Sequence, residues 1–235
     1  MFLLTGLIAG SPVIAAPTQQ SKAALRQADL LIAKNNYRQA IEQLNWAIRA
    51  DPNSAEAYCK RGKAYFLLEE IDDSVRDLDR AIKLKPSLAE AHFERARVFG
   101  EVGQVAIALK QSDKAVALAG KATPYTWYQD RAAWFMQQGE IASALLAYDK
   151  ALLINPSDSW LHYFRAAAYF KVARYKDALM DLSKISSADT GVLARVLDLR
   201  ASCYDKLGQP DLAKSARKAA QANVKRQLID IEPEK

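Results

Sequence analysis

The sequence predicts an all-α solenoid of about six helix-turn-helix units, and three regularities predict it. A motif of Arg, a small residue, two spacers and an aromatic occurs five times, at spacings of 34, 36, 34 and 35 residues. Around each copy apolar residues recur at three- and four-residue steps, which is the helical period. A second small residue follows each first one after twelve positions. One supersecondary unit copied at such a period is expected to stack. The motif copies begin at Arg61, Arg95, Arg131, Arg165 and Arg200.

The predicted units begin at residues 21, 55, 89, 125, 159 and 194. Counting places from the start of a unit, the Arg lies at place 7, the small residues at places 8 and 20, and the aromatic at place 11. The unit at residue 21 lacks the Arg and has Leu31 at the place of the aromatic. Each unit holds two amphipathic helices separated by a turn residue at place 15, which is Gly or Asn in four units, because these residues accept a left-handed backbone. Glu69 and Ala173 are the exceptions.

Helix ends are marked by proline and by capping residues. Second helices are expected to end before Pro52, Pro86 and Pro156, because Pro lacks a backbone donor and disfavours a helical predecessor. The pair Ser87 and Glu90 predicts a capping box for the next helix. The third unit carries two extra residues, which we interpret as a loop insertion in preference to a bend.

These residues together resemble the tetratricopeptide repeat over residues 21–227. The resemblance implies a right-handed solenoid whose concave inner face comes from the first helix of each unit. Arg217 replaces an apolar residue in the last unit, and its second helix continues through further cations, which predicts a C-terminal capping helix. Residues 16–20 are expected to form a short lead and residues 228–235 a polar tail.

The first sixteen residues are apolar and uncharged. They predict a signal peptide over residues 1–15, cleaved after Ala15, since small residues at positions 13 and 15 suit a signal peptidase. The mature chain would then have no stable membrane span and would be periplasmic or secreted. No Lys or Arg precedes the apolar run, so a second interpretation stays open, in which this segment caps the first unit of a cytoplasmic protein.

Composition and motifs argue against catalysis and nucleic-acid binding. The net charge of +6 is spread over the units without a concentrated basic stretch interleaved with aromatics. His92 and His162 both lie at place 4 of a first helix, where packing is the favoured role. No metal-ligand spacing, phosphate loop or nucleophile elbow occurs in the sequence. We therefore expect that the protein is not an enzyme and that it binds no cofactor or metal. Cys59 and Cys203 are expected to be free thiols packed as small hydrophobes.

The repeated arginine has two interpretations. It could form a ladder of cations for an acidic partner. The alternative, which we favour, is structural: place 7 shares a stripe with the small residue and the aromatic that face the paired helix. The aliphatic stem would then pack while the guanidinium meets an acid or a carbonyl.

The resemblance assigns the inner face to places 2, 5, 6, 9, 12 and 13. Relatives that bind the carboxylate tail of heat-shock chaperones use cations and Asn at places where this chain has Leu25, Asp29, Lys60, Glu90 and Glu94, so chaperone-tail binding is not expected. The fifth unit is aromatic, and aromatics dominate binding hot spots. The predicted partner-binding residues are Trp160, Tyr163, Phe164, Phe170, Lys171, Lys60, Lys63 and Arg97.

Two functional hypotheses follow. The first is a non-catalytic adaptor of the bacterial envelope that holds a protein or peptide segment in the groove. The second is a cytoplasmic or membrane-associated scaffold that self-associates, with the aromatic patch of the fifth unit as the contact of a homodimer. Burial of that patch within the chain itself is a further alternative.

Overall fold

The computed structural model describes residues 19–186 and 190–231. The predicted signal peptide, residues 16–18 of the lead and residues 232–235 of the tail lie outside the described residues. Within the described part the chain forms twelve α-helices and one 3-10 helix, and no strand. The predicted all-α solenoid class is confirmed.

In chain order the helices fall into six consecutive pairs. The first helices of four pairs begin at residues 55, 89, 125 and 159, whereas those of the first and last pairs begin at Gln19 and Thr190. The last helix continues to Ile231, four residues into the segment predicted as a polar tail. The pairs are α1 (Gln19–Ala33) with α2 (Tyr37–Ala50), α3 (Ala55–Leu67) with α4 (Ile71–Leu84), α5 (Ala89–Glu101) with α6 (Val105–Ala119), α7 (Tyr125–Gln137) with α8 (Ile141–Ile154), α9 (Ser159–Lys171) with α10 (Tyr175–Ser183), and α11 (Thr190–Lys206) with α12 (Pro210–Ile231).

The described residues divide into two compact bodies. The N-terminal body comprises residues 19–102 and 113–118. The C-terminal body comprises residues 103–112, 119–186 and 190–231. Each has its own apolar core: Leu44 and Leu78 are fully buried in the first, and Leu161 and Leu182 in the second.

Every pair turns at place 15 through a residue with positive φ. The φ angles at these places lie between 58° and 79°. Glu69 and Ala173, the two residues that departed from the Gly or Asn pattern, adopt the same left-handed conformation, with φ of 63° and 58°. The pairing of the helices therefore imposes this conformation even where the side chain disfavours it.

In the units that lie within one body, the two small residues lie where the paired helices cross. All six residues at place 20 are fully buried, from Ala40 to Ala213. At place 8 of the second unit, a Cβ added to Gly62 would lie 2.8 Å from Leu78 Cγ and 3.1 Å from the Ser74 carbonyl oxygen. The crossing inferred from the sequence is thus confirmed, because the helices approach too closely there for larger side chains.

Capping differs in one unit from the sequence expectation. Ser54 accepts a hydrogen bond from the Ala57 amide at 3.3 Å, and Asp158 accepts one from Leu161 at 3.0 Å. The capping box predicted at Ser87 is wrong. Helix α5 begins one residue later than that box requires, so Leu88 is the N-cap residue and no side chain caps the helix. The two extra residues of the third unit, Thr123 and Pro124, follow the 3-10 helix Gly120–Ala122 and connect it to α7.

Candidate functional site

Three of the five motif arginines, Arg61, Arg95 and Arg165, join neighbouring helices through carboxylates. Arg165 donates from Nε and Nη2 to Asp181 at 2.7 and 2.6 Å, and from Nη1 to Asp149 at 2.6 Å. Asp181 belongs to the second helix of the same unit, and Asp149 to the second helix of the preceding unit. Each motif arginine of this kind is called a seam arginine below. The hydrogen bonds of Arg165 connect the two helices of its own unit with the second helix of the preceding unit, and so hold adjacent repeats in register.

The same arrangement recurs in the N-terminal body. Arg61 donates to both carboxylate oxygens of Asp77 at 2.6 and 2.8 Å, and to the Asn45 amide oxygen at 2.6 Å. Arg95 donates to Asp79 at 2.6 Å. The structural interpretation of the motif arginine is confirmed at these units. The acceptors lie sixteen residues before or after the arginine, a spacing visible in the sequence that could have identified them.

Hydrogen bonding to these carboxylates favours the charged arginines. The hydrogen bond to Asp77 is the main cause that raises the pKa of Arg61, and the bond to Asp181 does the same for the pKa of Arg165. Burial acts in the opposite direction and is outweighed at both sites. These cations are therefore engaged within the fold and do not form a free ladder for an acidic partner.

Three predicted binding residues come together in the C-terminal body as one cluster. The ring centroids of Trp160 and Tyr163 are 6.1 Å apart, edge to face. The Phe164 ring lies 5.7 Å from each of the other two and stacks on Tyr148 at 6.5 Å. We call Trp160, Tyr163 and Phe164 the aromatic cluster. All three are half-buried, so the cluster packs on the core while part of each ring stays accessible.

Arg195 adds a cation to this cluster. Its guanidinium carbon lies 5.4 Å from the centroid of the Trp160 ring, within the range of a cation–π interaction. Sequence reasoning did not count Arg195 among the binding residues. Its position at place 2, equivalent to that of Trp160 one repeat earlier, could have indicated the contact.

The other two predicted residues of the fifth unit lie apart from these rings. Phe170 is half-buried and its ring packs on Tyr175 at 5.3 Å. Lys171 is exposed at the end of the same helix. They extend the surface along α9 and do not enlarge the aromatic cluster itself.

The three predicted cations of the N-terminal body are ion-paired. Lys60 Nζ lies 2.6 Å from Asp29, while Lys63 and Arg97 lie 3.1 and 2.9 Å from the buried carboxylate of Glu94. Burial alone would lower the pKa of Lys60, but its hydrogen bond to Asp29 and the nearby carboxylates outweigh burial and raise that pKa. A partner carboxylate would have to compete with these internal acids.

The histidines and cysteines take structural positions. His162 Nε2 lies 2.9 Å from the Pro156 carbonyl oxygen, and His92 Nε2 lies 3.0 Å from the Pro86 carbonyl oxygen. Both cysteines are free and buried, and burial raises the pKa of Cys203 to about 11. A search of the described residues found no group of three or more His, Cys, Asp or Glu arranged for a metal ion.

In the same described part, none of the helices combines the length and apolar character needed to cross a bilayer.

Comparisons with known proteins agree with this architecture. The TPR repeat family matches residues 28–69 and 134–172, and the tetratricopeptide repeat family matches residues 55–88. A search of curated proteins gives no significant match.

Several solved structures share the fold. PilW, described as a widely conserved type IV pilus biogenesis factor, is 23% identical with a TM-score of 0.75, over 88% of this chain and 94% of that one. PilF of Pseudomonas aeruginosa is 18% identical with a TM-score of 0.74, over 84% and 89% of the two chains. The C-terminal part of a TPR repeat-containing protein from Cytophaga hutchinsonii is 21% identical with a TM-score of 0.70, over 86% and 80%.

Proposed function

Because this chain belongs to the tetratricopeptide-repeat family, whose members act as protein-interaction scaffolds, we propose that it is a non-catalytic adaptor that holds a segment of a partner protein. The proposed binding surface is the inner face of the C-terminal body. Trp160, Tyr163 and Phe164 are its central contacts, and Phe170 and Lys171 extend it along α9.

The aromatic cluster is the observation that carries this proposal. Rigid aromatic side chains that are partly accessible and backed by a core offer a large contact area at low entropic cost. The three rings support one another at 5.7 to 6.1 Å, and Arg195 covers one of them. A partner side chain that enters between these groups would therefore meet a surface that is already ordered.

Small residues give this part of the inner face room for a ligand. Ala133 at place 9 of the fourth unit is exposed, and Ala167 at the same place of the fifth is half-buried. In the N-terminal body the same place holds Lys63 and Arg97, both paired with Glu94. We therefore assign Lys60, Lys63 and Arg97 a supporting role and place the main contacts in the C-terminal body.

The compartment is part of the proposal. The apolar first sixteen residues have the character of an export signal, and PilW, which has a related fold, is a pilus biogenesis factor. We propose that the mature chain works in the bacterial cell envelope, in the assembly of a protein complex. N-terminal sequencing of the protein from its native compartment tests this: a chain beginning at Ala16 supports it, and a retained Met1 in the cytoplasmic fraction contradicts it.

Affinity capture from the native extract tests the binding surface. The wild type, Trp160→Ala and Phe164→Ala serve as baits, and Trp46→Ala is the matched control because Trp46 is a partly exposed Trp of the N-terminal body. We expect the two C-terminal variants to lose the partner while Trp46→Ala retains it. Equal capture by all four baits would contradict the proposal.

Molecular mass in solution separates this function from self-association. If the aromatic cluster is a dimer contact, the wild type is a dimer and Trp160→Ala is a monomer. We expect the wild type to be monomeric when no partner is present. Sedimentation equilibrium of both proteins at the same concentrations distinguishes the two results.

A further inference from the structure

Arg200, the motif arginine of the last unit, makes none of the carboxylate hydrogen bonds that Arg61, Arg95 and Arg165 make. Its Nε is buried and has no hydrogen-bond partner among the described residues. The two places that supply acceptors elsewhere are place 23 of the same unit and place 25 of the preceding one. At this seam they are occupied by Ala216 and Ser183, and the Ser183 hydroxyl donates to the Met180 carbonyl oxygen at 2.6 Å.

The equivalent seams show which of these two positions is open to solvent. At place 23 the Asp181 side chain is only 2% exposed, so that acceptor belongs to the interior. At place 25 the Asp149 and Asp79 side chains are 49% and 53% exposed. A carboxylate from outside the chain could therefore reach the place-25 position without opening the helix pair.

The surroundings of this position differ from those of its equivalents. Helix α10 ends at Ser183, whereas α8 continues from Asp149 for five more residues, to Ile154. Ser183 is exposed and is shorter than Asp. The neighbouring surface carries Met180, which is 58% exposed, and Lys184, whose side chain is 50% exposed.

We propose that the seam between the fifth and sixth units is a second interaction site, which binds an aspartate or glutamate side chain of a partner protein. The partner carboxylate would take the position that Asp79 occupies at Arg95, where the carboxylate accepts from Nε, while an apolar partner residue packs on Met180. Carboxylate is the chemistry indicated, because Asp79 and Asp149 are the place-25 acceptors at two equivalent arginines, while the amide oxygen of Asn45 is the acceptor at a third.

This site is separate from the proposed inner-face function. Place 7 faces the second helices, whereas the aromatic cluster lies at places 2, 5 and 6. Trp160→Ala should therefore leave the seam site unchanged, and the two proposals can fail independently.

The test measures side-chain NMR signals of Arg200 in the full chain labelled with ¹⁵N-arginine. Arg200→Lys assigns the signals. The probe is a short acetylated and amidated peptide of alternating Glu and Leu, and its Gln and Leu analogue is the neutral control. We expect the Glu peptide to shift the Arg200 signals and the Gln peptide to leave them in place.

A variant that supplies the missing carboxylate from this chain itself provides the decisive test. Ser183→Asp places a carboxylate where Asp149 lies at the equivalent seam, so we expect it to weaken the Glu peptide about tenfold or more, the usual value of a charge-assisted hydrogen bond. Ser183→Ala is the matched control and should bind as the wild type does. Ser183→Asp should also raise the urea midpoint, which Ser183→Ala should not.

Three results would overturn the proposal. One is the absence of any Arg200 shift with the Glu peptide. Another is equal peptide affinity in Ser183→Asp and wild type. The third is an equal shift with inorganic phosphate at the same concentration, which would mean that any anion suffices and that no protein segment is specified.

Discussion

Removing the Asp181 carboxylate should destabilise the protein far more than removing the Asp149 carboxylate, although both bind the same arginine. Both lie 2.6 Å from a terminal nitrogen of Arg165. They differ in environment, since the Asp181 side chain is 2% exposed and the Asp149 side chain is 49% exposed. The pair of variants Asp181→Ala and Asp149→Ala therefore separates burial from distance.

The expected losses follow from these environments. Asp181 accepts two hydrogen bonds from Arg165 and lies 3.2 Å from His162 Nδ1. Its removal leaves the Arg165 side chain, which is only 15% exposed, without its main acceptor, a change that typically costs about 3–5 kcal/mol. Asp149 makes one half-exposed contact, which is worth about 0.2–1 kcal/mol. The free energy of unfolding should thus fall several times further in Asp181→Ala.

Urea unfolding followed by far-UV circular dichroism measures both losses against the wild type. Unfolding of a repeat protein can proceed by parts, so the fluorescence transition should be recorded alongside the dichroism. Equal losses in the two variants would refute the reasoning, since burial would then have no effect at this seam. A loss below about 1 kcal/mol in Asp181→Ala would refute it as well.

Three further predictions concern the fold and its titration. Ala173→Gly should raise the free energy of unfolding by about 1 kcal/mol, because residue 173 has a φ of 58°. Gly139→Ala should lower it by a similar amount, because residue 139 has a φ of 78° and a Cβ added there would meet no other atom. The urea midpoints of both variants check these expectations. Gly62→Ala should lower the free energy of unfolding by about 1–3 kcal/mol, because its Cβ would lie 2.8 Å from Leu78 Cγ, and a midpoint equal to that of the wild type would show that the helices can move apart. Burial raises the pKa of Cys203 to about 11, so the thiol of the unfolded chain ionises at a lower pH than that of the folded chain. The free energy of unfolding should therefore fall by about 1.4 kcal/mol per pH unit between about pH 9 and 11. Cys203→Ala should remove this contribution to the pH dependence.

Much of the fold was accessible from the sequence because each unit repeats the same constraints. Small residues at places 8 and 20 indicated the helix crossings, and the crossings lie there, as Ala178 at 0% exposure illustrates. Glu69 and Ala173 could not be assigned a left-handed turn from their own propensities, since the conformation is imposed by the helices on either side. The capping box predicted at Ser87 does not form, because a shift of one residue in the helix start moves the hydroxyl out of reach.

The candidate site was harder to predict from the sequence, because the solvent exposure and the ion pairing of its residues depend on how the helices stack. Place numbers put Trp160 and Phe170 on one face and give Arg195 the place of Trp160 in the next unit, but they do not give the 5.4 Å distance at which the two side chains meet. Lys63 and Arg97 were predicted to be cations of the binding groove, whereas in the folded chain both form ion pairs with Glu94. The arginine motif was correctly interpreted as structural, although its acceptors at a sixteen-residue spacing were not recognised.

The dissociation constant of the captured partner, measured for the wild type and Trp160→Ala with the free energy of unfolding of each, tests the central claim most directly. An accessible aromatic hot spot typically contributes about 2 kcal/mol or more to binding. We therefore predict a loss of affinity of about thirtyfold or more in Trp160→Ala, with most of the stability retained. A variant that binds the partner as tightly as the wild type, or that loses affinity only to the extent that it unfolds, would contradict the claim that the aromatic cluster is the binding surface.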